Sequence, residues 1–315
     1  MINIQSTKSL TKQQWKGFYL LQKKYSTIND IVFKYKFDDF QKLFSEINLS
    51  NTVENYLVSN NNYIIGRIEI NITKPNQVCN IRFLLLKDTI DEFILDEIFI
   101  WIQIQKNRFK TIRIETDIDV VIPYLLKDSF TIYNTILELR LRKSNFFPER
   151  LNYFLNADFI IDIKEKLTNK EILVLAKVYN SCIIDMKKNG NHSFSTSKIN
   201  FKNFINSLPL YDKHILFSIL KNKNGVIIGF TALTYNLKNN SIAEHFFTCI
   251  INKYRGNNFA LLMKSNLYKY IFKYVDKIDT ICTECFEINT PILKSNYKLG
   301  FKLFNKKIEL IFNKN

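Results

Sequence analysis

Seven residues in the second half of the chain have the types and spacing of an anion site: Tyr254-Arg255-Gly256-Asn257-Asn258-Phe259-Ala260. They follow a strand-like run, Ser241–Ile251, and lead into an amphipathic helical pattern that continues through Tyr274. A strand, a tight loop and a helix amino terminus bind anions together, because unpaired backbone N–H groups and the helix dipole point at one spot. Gly256 lets a ligand approach the backbone closely, and the small Ala260 keeps the first helical turn uncrowded. Taken alone, the pattern fits an ordinary surface helix cap equally well. Downstream, Thr283, Asn289, Asn296 and Leu299-Gly300-Phe301 follow at spacings that suit a strand, a helix and a turn.

Other reactive residue types are less promising. Cys282-x-x-Cys285 has the form of half a zinc site, yet no second pair exists and the histidines stand apart at 192, 214 and 245. Residues three apart on a strand face opposite sides, so these thiols are expected in the core rather than on a metal. Cys249 has no neighbour that would activate it as a nucleophile. The segment from Asn189-Gly190-Asn191-His192 through Ser197 reads as a polar loop, either ordinary or folded over a site.

The elements that must position these residues are written twice. Leu10-Thr11-Lys12-Gln13-Gln14 and Leu167-Thr168-Asn169-Lys170-Glu171 are both capping boxes opening amphipathic helical patterns. Tyr63–Ile70 and Val226–Leu233 are both β-branched runs around a single glycine after an Asn-rich turn, which predicts hairpin strands. Ile112–Thr116 and Ile281–Cys285 match in turn. Phe130, Asn134, Glu138 and Leu139 recur as Phe301, Asn305, Glu309 and Leu310. Four matches in one order predict two copies of one α+β domain, 1–147 and 148–315, meeting near Ser144–Asn156. Phe146-Phe147-Pro148 suits a linker, since Pro disfavours helix in the residue before it.

Composition bounds the rest. The 315 residues are 46% hydrophobic, enough for sizeable cores, and only 7 Gly and 5 Pro argue against linker-rich or collagen-like architectures. The net charge of +16 invites a nucleic-acid partner, but the lysines are scattered and a phosphate-bearing ligand or acidic partner suits them as well. The apolar stretch Phe93–Ile104 is broken by Asp96 and Glu97, so no membrane span is expected. The start of the chain has neither a basic nor an apolar leader region. Together with five cysteines lacking secretory context, it predicts a cytoplasmic protein with reduced thiols.

From Gly229 onward, the residues quoted above resemble the GNAT N-acyltransferase family. Thr248-Cys249-Ile250 with Tyr254-Arg255-Gly256 looks like the family's motif A. Asn289, Asn296 and Leu299-Gly300-Phe301 look like its motif B. The repeat extends the resemblance to the whole chain, in a tandem layout similar to that of the mycothiol synthases. The fold implied is two GNAT-like domains, each a mixed, mostly antiparallel sheet flanked by helices. The resemblance further implies acetyl-CoA or another acyl-CoA as co-substrate and a primary amine, on a small molecule or a peptide, as acceptor. Direct attack in a ternary complex would transfer the acyl group.

On that resemblance, N–H groups near Cys249 and Ile250 hold the pantetheine arm and polarise the thioester. Asn289 bonds the same arm, and Arg255, Gly256, Asn257, Asn258, Phe259 and Ala260 cradle the pyrophosphate. Asn258 stands where the family prefers a small residue; asparagine tolerates left-handed backbone better than most. Asn296 stands where many members carry the tyrosine that protonates the leaving thiolate, so water or the coenzyme itself would supply the proton. Glu244 precedes Arg255 by the spacing of a known family base, and regular alternation would put it on a face with Phe246, Thr248 and Ile250. A solvent-facing strand-end glutamate is the plainer alternative, and His245 on the other face suits packing better than catalysis. The first copy has no glycine in Leu85–Glu92 and presents carboxylates there, so it is expected to act as a scaffold that does not bind coenzyme. A catalytically silent acyl-CoA binder and a basic nucleic-acid module remain the rival functions.

Overall fold

Each repeat opens on a helix that caps itself. In the computed structural model, Thr11 N–H donates to Gln14 Oε1 at 2.9 Å and Gln14 N–H donates back to Thr11 Oγ1 at 3.3 Å. Thr168 and Glu171 repeat the exchange at 2.9 and 3.2 Å. Two otherwise orphaned amides are thereby satisfied at the starts of α1 (Lys12–Ile28) and α5 (Asn169–Lys188). The structure describes residues 2–28, 35–48, 52–61, 63–74, 77–150, 157–188, 201, 205, 214–236 and 241–314. The polar loop from Asn189 to Ser197 and the last part of the linker, 151–156, lie outside them.

The described residues form two compact units. The first comprises Met1–Leu137, Phe286–Ile288 and Asn305–Asn315. Its strands are β1 (Ile2–Ser6), β2 (Val53–Asn60), β3 (Tyr63–Lys74), β4 (Val78–Leu85), β5 (Thr111–Thr116) and the distal part of β12 (Lys302–Asn313), in that order across the sheet. Every one of these pairings is antiparallel except β4 with β5. Helix α3 (Glu92–Arg108) lays Ile94, Ile98 and Ile102 on the apolar face built by Ile68, Ile81, Ile112 and Ile114. On the other face α1 and α2 (Phe37–Asn48) bury Trp15, Phe18 and Phe40 with Leu57. The remaining elements are α4 (Val121–Lys127) and β6 (Thr131–Arg142), whose first half lies in this unit.

Strand registers align Asn55, Glu69, Arg82, Glu115 and Glu309 as a polar row across five strands. Glu309 is almost fully buried and faces Glu115 directly. Burial pushes its carboxyl up to about 7, although Asn134 donates to it at 2.8 Å.

The second unit comprises Glu138–Cys285 and Asn289–Phe304. Its strand order is β6, β11 (Thr280–Phe286), β10 (Ile242–Ile250), β9 (Ile227–Tyr235), β8 (His214–Asn222), β7 (Phe159–Lys164). A parallel pair recurs at the matching place, β10 with β11. All nine residues of β9 are buried, as a central strand covered on both faces requires. On one side α5 packs Leu175 and Val178 with Phe217, Phe230 and Cys249. On the other, α6 (Phe259–Tyr274) packs Phe259 and Met263 with Leu220 and Ile228. Helix α7 (Thr290–Lys298) follows β11.

The four sequence repeats therefore map onto α1 and α5, β3 and β9, β5 and β11, and β6 and β12. A shared turn survives even where its glycine does not. Gly300 has φ +97° and its first-copy counterpart Ser129 has φ +65°. A Cβ at Gly300 would stand 2.4 Å from Asn145 O.

Gly300→Ala should therefore destabilise the protein by about 1–3 kcal/mol, while Ser129→Gly should stabilise it by about 0.5–1 kcal/mol, both read from urea midpoints. Equal midpoints for both variants and wild type would contradict this. Because the folded pKa of Glu309 exceeds its unfolded value, its contribution is present at low pH and lost as pH rises toward about 7. Glu309→Gln should remove that loss and be more stable than wild type near pH 8, with little difference at about pH 4.

Candidate active site in the second unit

β10 and β11 pair in parallel at Ile242 with Thr280, Ala243 with Ile281 and Glu244 with Cys282, and there the pairing ends. β10 continues to Ile250 and β11 to Phe286. In the same place β10 bulges against β9: His245 opposes Leu233 and Phe247 opposes Ala232, leaving Phe246 as the extra residue. One extra residue exchanges the two faces of a strand.

This bulge corrects the face expected for Glu244. Glu244 opposes Thr234 and shares its face with Phe247 and Cys249, not with Phe246, Thr248 and Ile250. Its side chain is exposed rather than set among apolar groups. His245 and Thr248 instead come together on the α6 side, where both meet Thr231 Oγ1 at 2.9 Å. The other ring nitrogen of His245 contacts the Tyr268 hydroxyl. Burial, and then the charge of Lys264, push the His245 pKa well below its ordinary value, so it is a neutral, packed histidine.

The loop after β10 has the geometry its sequence suggests. Asn252–Tyr254 make one 3-10 turn, Gly256 takes φ +87° and Asn258 takes φ +57°. Asn258 thus adopts the left-handed conformation for which its side chain is the least unfavourable after glycine. The backbone N–H groups from Gly256 to Leu261 meet no acceptor among the described residues; the first to do so is Leu262, which donates to Asn258 O at 3.0 Å. The Asn257 amide donates to the carbonyls of Tyr254 and Arg255 at 3.2 and 3.3 Å and braces the turn.

Arg255 behaves differently from a free phosphate ligand. Its Nε donates to Ile250 O at 2.9 Å and its Nη2 to Asp185 at 2.8 Å, tying the loop to α5. The same guanidinium lies 3.7 Å from Cys182 Sγ. Contact with Cys249 and then the Arg255 guanidinium lower the Cys182 thiol, and contact with Cys182 and burial raise the Cys249 thiol. Cys249 is therefore a poor nucleophile, and Cys182 is the more acidic partner.

The first unit differs at the equivalent features. Its parallel strands β4 and β5 stay paired for five residue pairs. The amino terminus of α3 is already capped, with Asp91 Oδ1 accepting from Ile94 N–H at 2.9 Å.

Helix α7 places Asn296 at zero exposure, while the adjacent Tyr297 is 48% exposed. Asn296 Oδ1 accepts from Lys264 Nζ at 2.7 Å, and its amide nitrogen lies 4.0 Å from Cys285 Sγ. Asn289 stands just before α7, half-buried, with its side chain making no hydrogen bond among the described residues. Cys282 and Cys285 lie in different surroundings, the first near Glu244 and the second near Lys264. Among the described residues no group of three His, Cys, Asp or Glu side chains could hold a metal, and no helix is long and apolar enough to cross a membrane.

Sequence reasoning passed over Lys264. Burial pulls its ammonium down to about 8. A signal was available: Leu261, Lys264, Tyr268 and Ile271 fall on one helical stripe, and its other members are apolar or aromatic.

Neither a protein-family model nor a curated protein matches the sequence. Solved structures do match. A tandem GNAT protein from the clavulanic acid biosynthesis pathway, determined without acetyl-CoA, superposes with a TM-score of 0.71 at 8% identity, covering 100% of this chain and 99% of its own. A GCN5-related N-acetyltransferase from Sphaerobacter thermophilus gives 0.65 at 7% identity over 99% and 95% of the two chains. Another from Kribbella flavida gives 0.52 at 10% identity over 78% and 86%. Together with the doubled order of strands and helices, these likenesses establish that the chain has the tandem GNAT fold.

Proposed function

We propose that the chain is an N-acyltransferase that moves an acetyl or other short acyl group from acyl-CoA to a primary amine within a ternary complex. The coenzyme binds the second copy, 148–315, and the first copy, 1–147, does not bind it. The observation that carries this reading is the contrast between two helix starts. At α6 a run of backbone N–H groups is unclaimed among the described residues, whereas at α3 the corresponding end is capped by a carboxylate. An anionic pyrophosphate is attracted to the first and repelled by the second.

Transfer needs a positioned thioester, removal of a proton from the amine and support for the charge that develops on oxygen. In this reading Gly256, Asn257, Asn258, Phe259 and Ala260 receive the pyrophosphate through their backbone, and Arg255 holds that loop against α5. Backbone N–H groups near Cys249 and Ile250, beyond the end of the β10–β11 pairing, orient the pantetheine and the thioester carbonyl. The amide of Asn289, which makes no hydrogen bond among the described residues, serves the same arm. Glu244 takes the proton from the amine, directly or through water, and Asn296 lines the leaving-group side. Five free cysteines suit a reducing, cytoplasmic setting. The exposure of Glu244 favours a second reading, in which the protein binds acyl-CoA without turning it over.

Thermal melts with acetyl-CoA, CoA and desulfo-CoA test the binding site. Ligand at about a hundred times its dissociation constant should stabilise wild type by about 2.7 kcal/mol. Ala260→Glu adds a carboxylate to the first turn of α6, which favours the free helix by about 0.3–1 kcal/mol yet repels a pyrophosphate. The variant should melt no lower than wild type and lose the ligand shift. A wild type that no coenzyme shifts would refute the acyl-CoA site. Glu244→Gln then separates the two functional readings: in an amine screen it should cut the rate about 100-fold or more with binding of acetyl-CoA unchanged. Equal rates in both proteins would remove Glu244 from the chemistry.

A further inference from the structure

Lys264 is 2% exposed and fully enclosed, yet among the described residues it takes part in no ion pair. Its only hydrogen bond among the described residues is the one it donates to Asn296 Oδ1. Among the described residues it lies near the thiol of Cys285 on β11 and the neutral imidazole of His245 on β10, and it meets Asn296 on α7. None of these carries a negative charge. A buried ammonium with a single neutral acceptor is costly to maintain unless an anion arrives to meet it. The cluster stands beside Cys285, on the stretch of β11 past the end of its pairing with β10.

We infer that Lys264, held by Asn296, is the group that receives the coenzyme's sulfur as it leaves and supplies its proton. The inference rests on the acyl-transfer reading above. In the step it describes, the amine nitrogen bonds to the thioester carbon and the carbon–sulfur bond breaks with its electron pair on sulfur. A proton then passes from Lys264 Nζ to that sulfur, giving free CoA thiol and a neutral lysine. The lysine is recharged by the proton released from the acceptor nitrogen, through solvent. Asn296 has no acidic proton to give, so its part is to aim the ammonium.

The test needs no acceptor. CoA bound to the full-length protein is titrated by the ultraviolet absorbance of its thiolate, with desulfo-CoA as the blank. An ammonium beside the sulfur should lower the bound thiol's pKa by about 1–3 units relative to free CoA. Lys264→Met should return it to the free value while CoA still binds; Lys264→Gln serves the same purpose if the methionine variant does not fold. A role confined to packing would leave the thiol unmoved. If wild type binds CoA with an unshifted thiol, or if the shift persists in a folded variant, the inference is overturned and the acyl-transfer reading stands. If wild type does not bind CoA at all, both fall together.

Discussion

The parallel pairing of β10 with β11 lasts three residue pairs and then gives way, and the second unit's site depends on that break. A sheet interior normally leaves no backbone accessible to a ligand, since each strand claims the amides of the next. Here both strands run on past their last shared pair, and a bulge at Phe246 adds a residue to β10 at the same level. The bulge also changes which side chains face which helix. His245 and Thr248 turn together toward α6, and Glu244 is left facing outward on the α5 side.

Behind the break lies a set of polar groups that a core of this size would ordinarily avoid. Thr231, His245, Thr248 and Tyr268 satisfy one another, and satisfied networks of this kind make a packing arrangement specific. Lys264 and Asn296 are different, because one amide oxygen cannot balance a buried charge. Filled and unfilled hydrogen-bonding capacity thus sit side by side in this core.

The two repeats keep their architecture while differing at their chemical ends. Both make the turn that Ser129 and Gly300 share, both cap their opening helix, and both place one parallel pair at the same point in the strand order. They part where an anion would bind, with Asp91 closing one helix start and Asn258 leaving the other open. The last strand adds a further dependence. The residues from 305 onward belong with the first unit, where Leu310 joins the core and Glu309 lies buried in the polar row. A carboxyl-terminal segment is therefore part of the amino-terminal core.

Features governed by neighbours in the chain were legible from the sequence alone. Thr168 and Glu171 lie three apart, so their reciprocal cap follows from helix geometry. The strand–loop–helix order around Gly256 follows from local propensity, as does the left-handed Asn258. The repeat itself was readable because duplicated segments keep their order even when loops drift. Tertiary structure alone decided what depends on pairing between distant segments. Alternation assigned Glu244 the wrong face, because a bulge arises from the register of β10 against β9 and leaves no mark on local periodicity. The contacts of Arg255 with Asp185 on α5 and with the carbonyl of Ile250 had no sequence signal, because they are chosen by how the helix lies on the sheet. Lys264 looked like one more lysine in a lysine-rich chain until packing closed over it. Short-range sterics and hydrogen bonds act within a few residues, while burial and charge pairing are set by whatever the fold brings alongside.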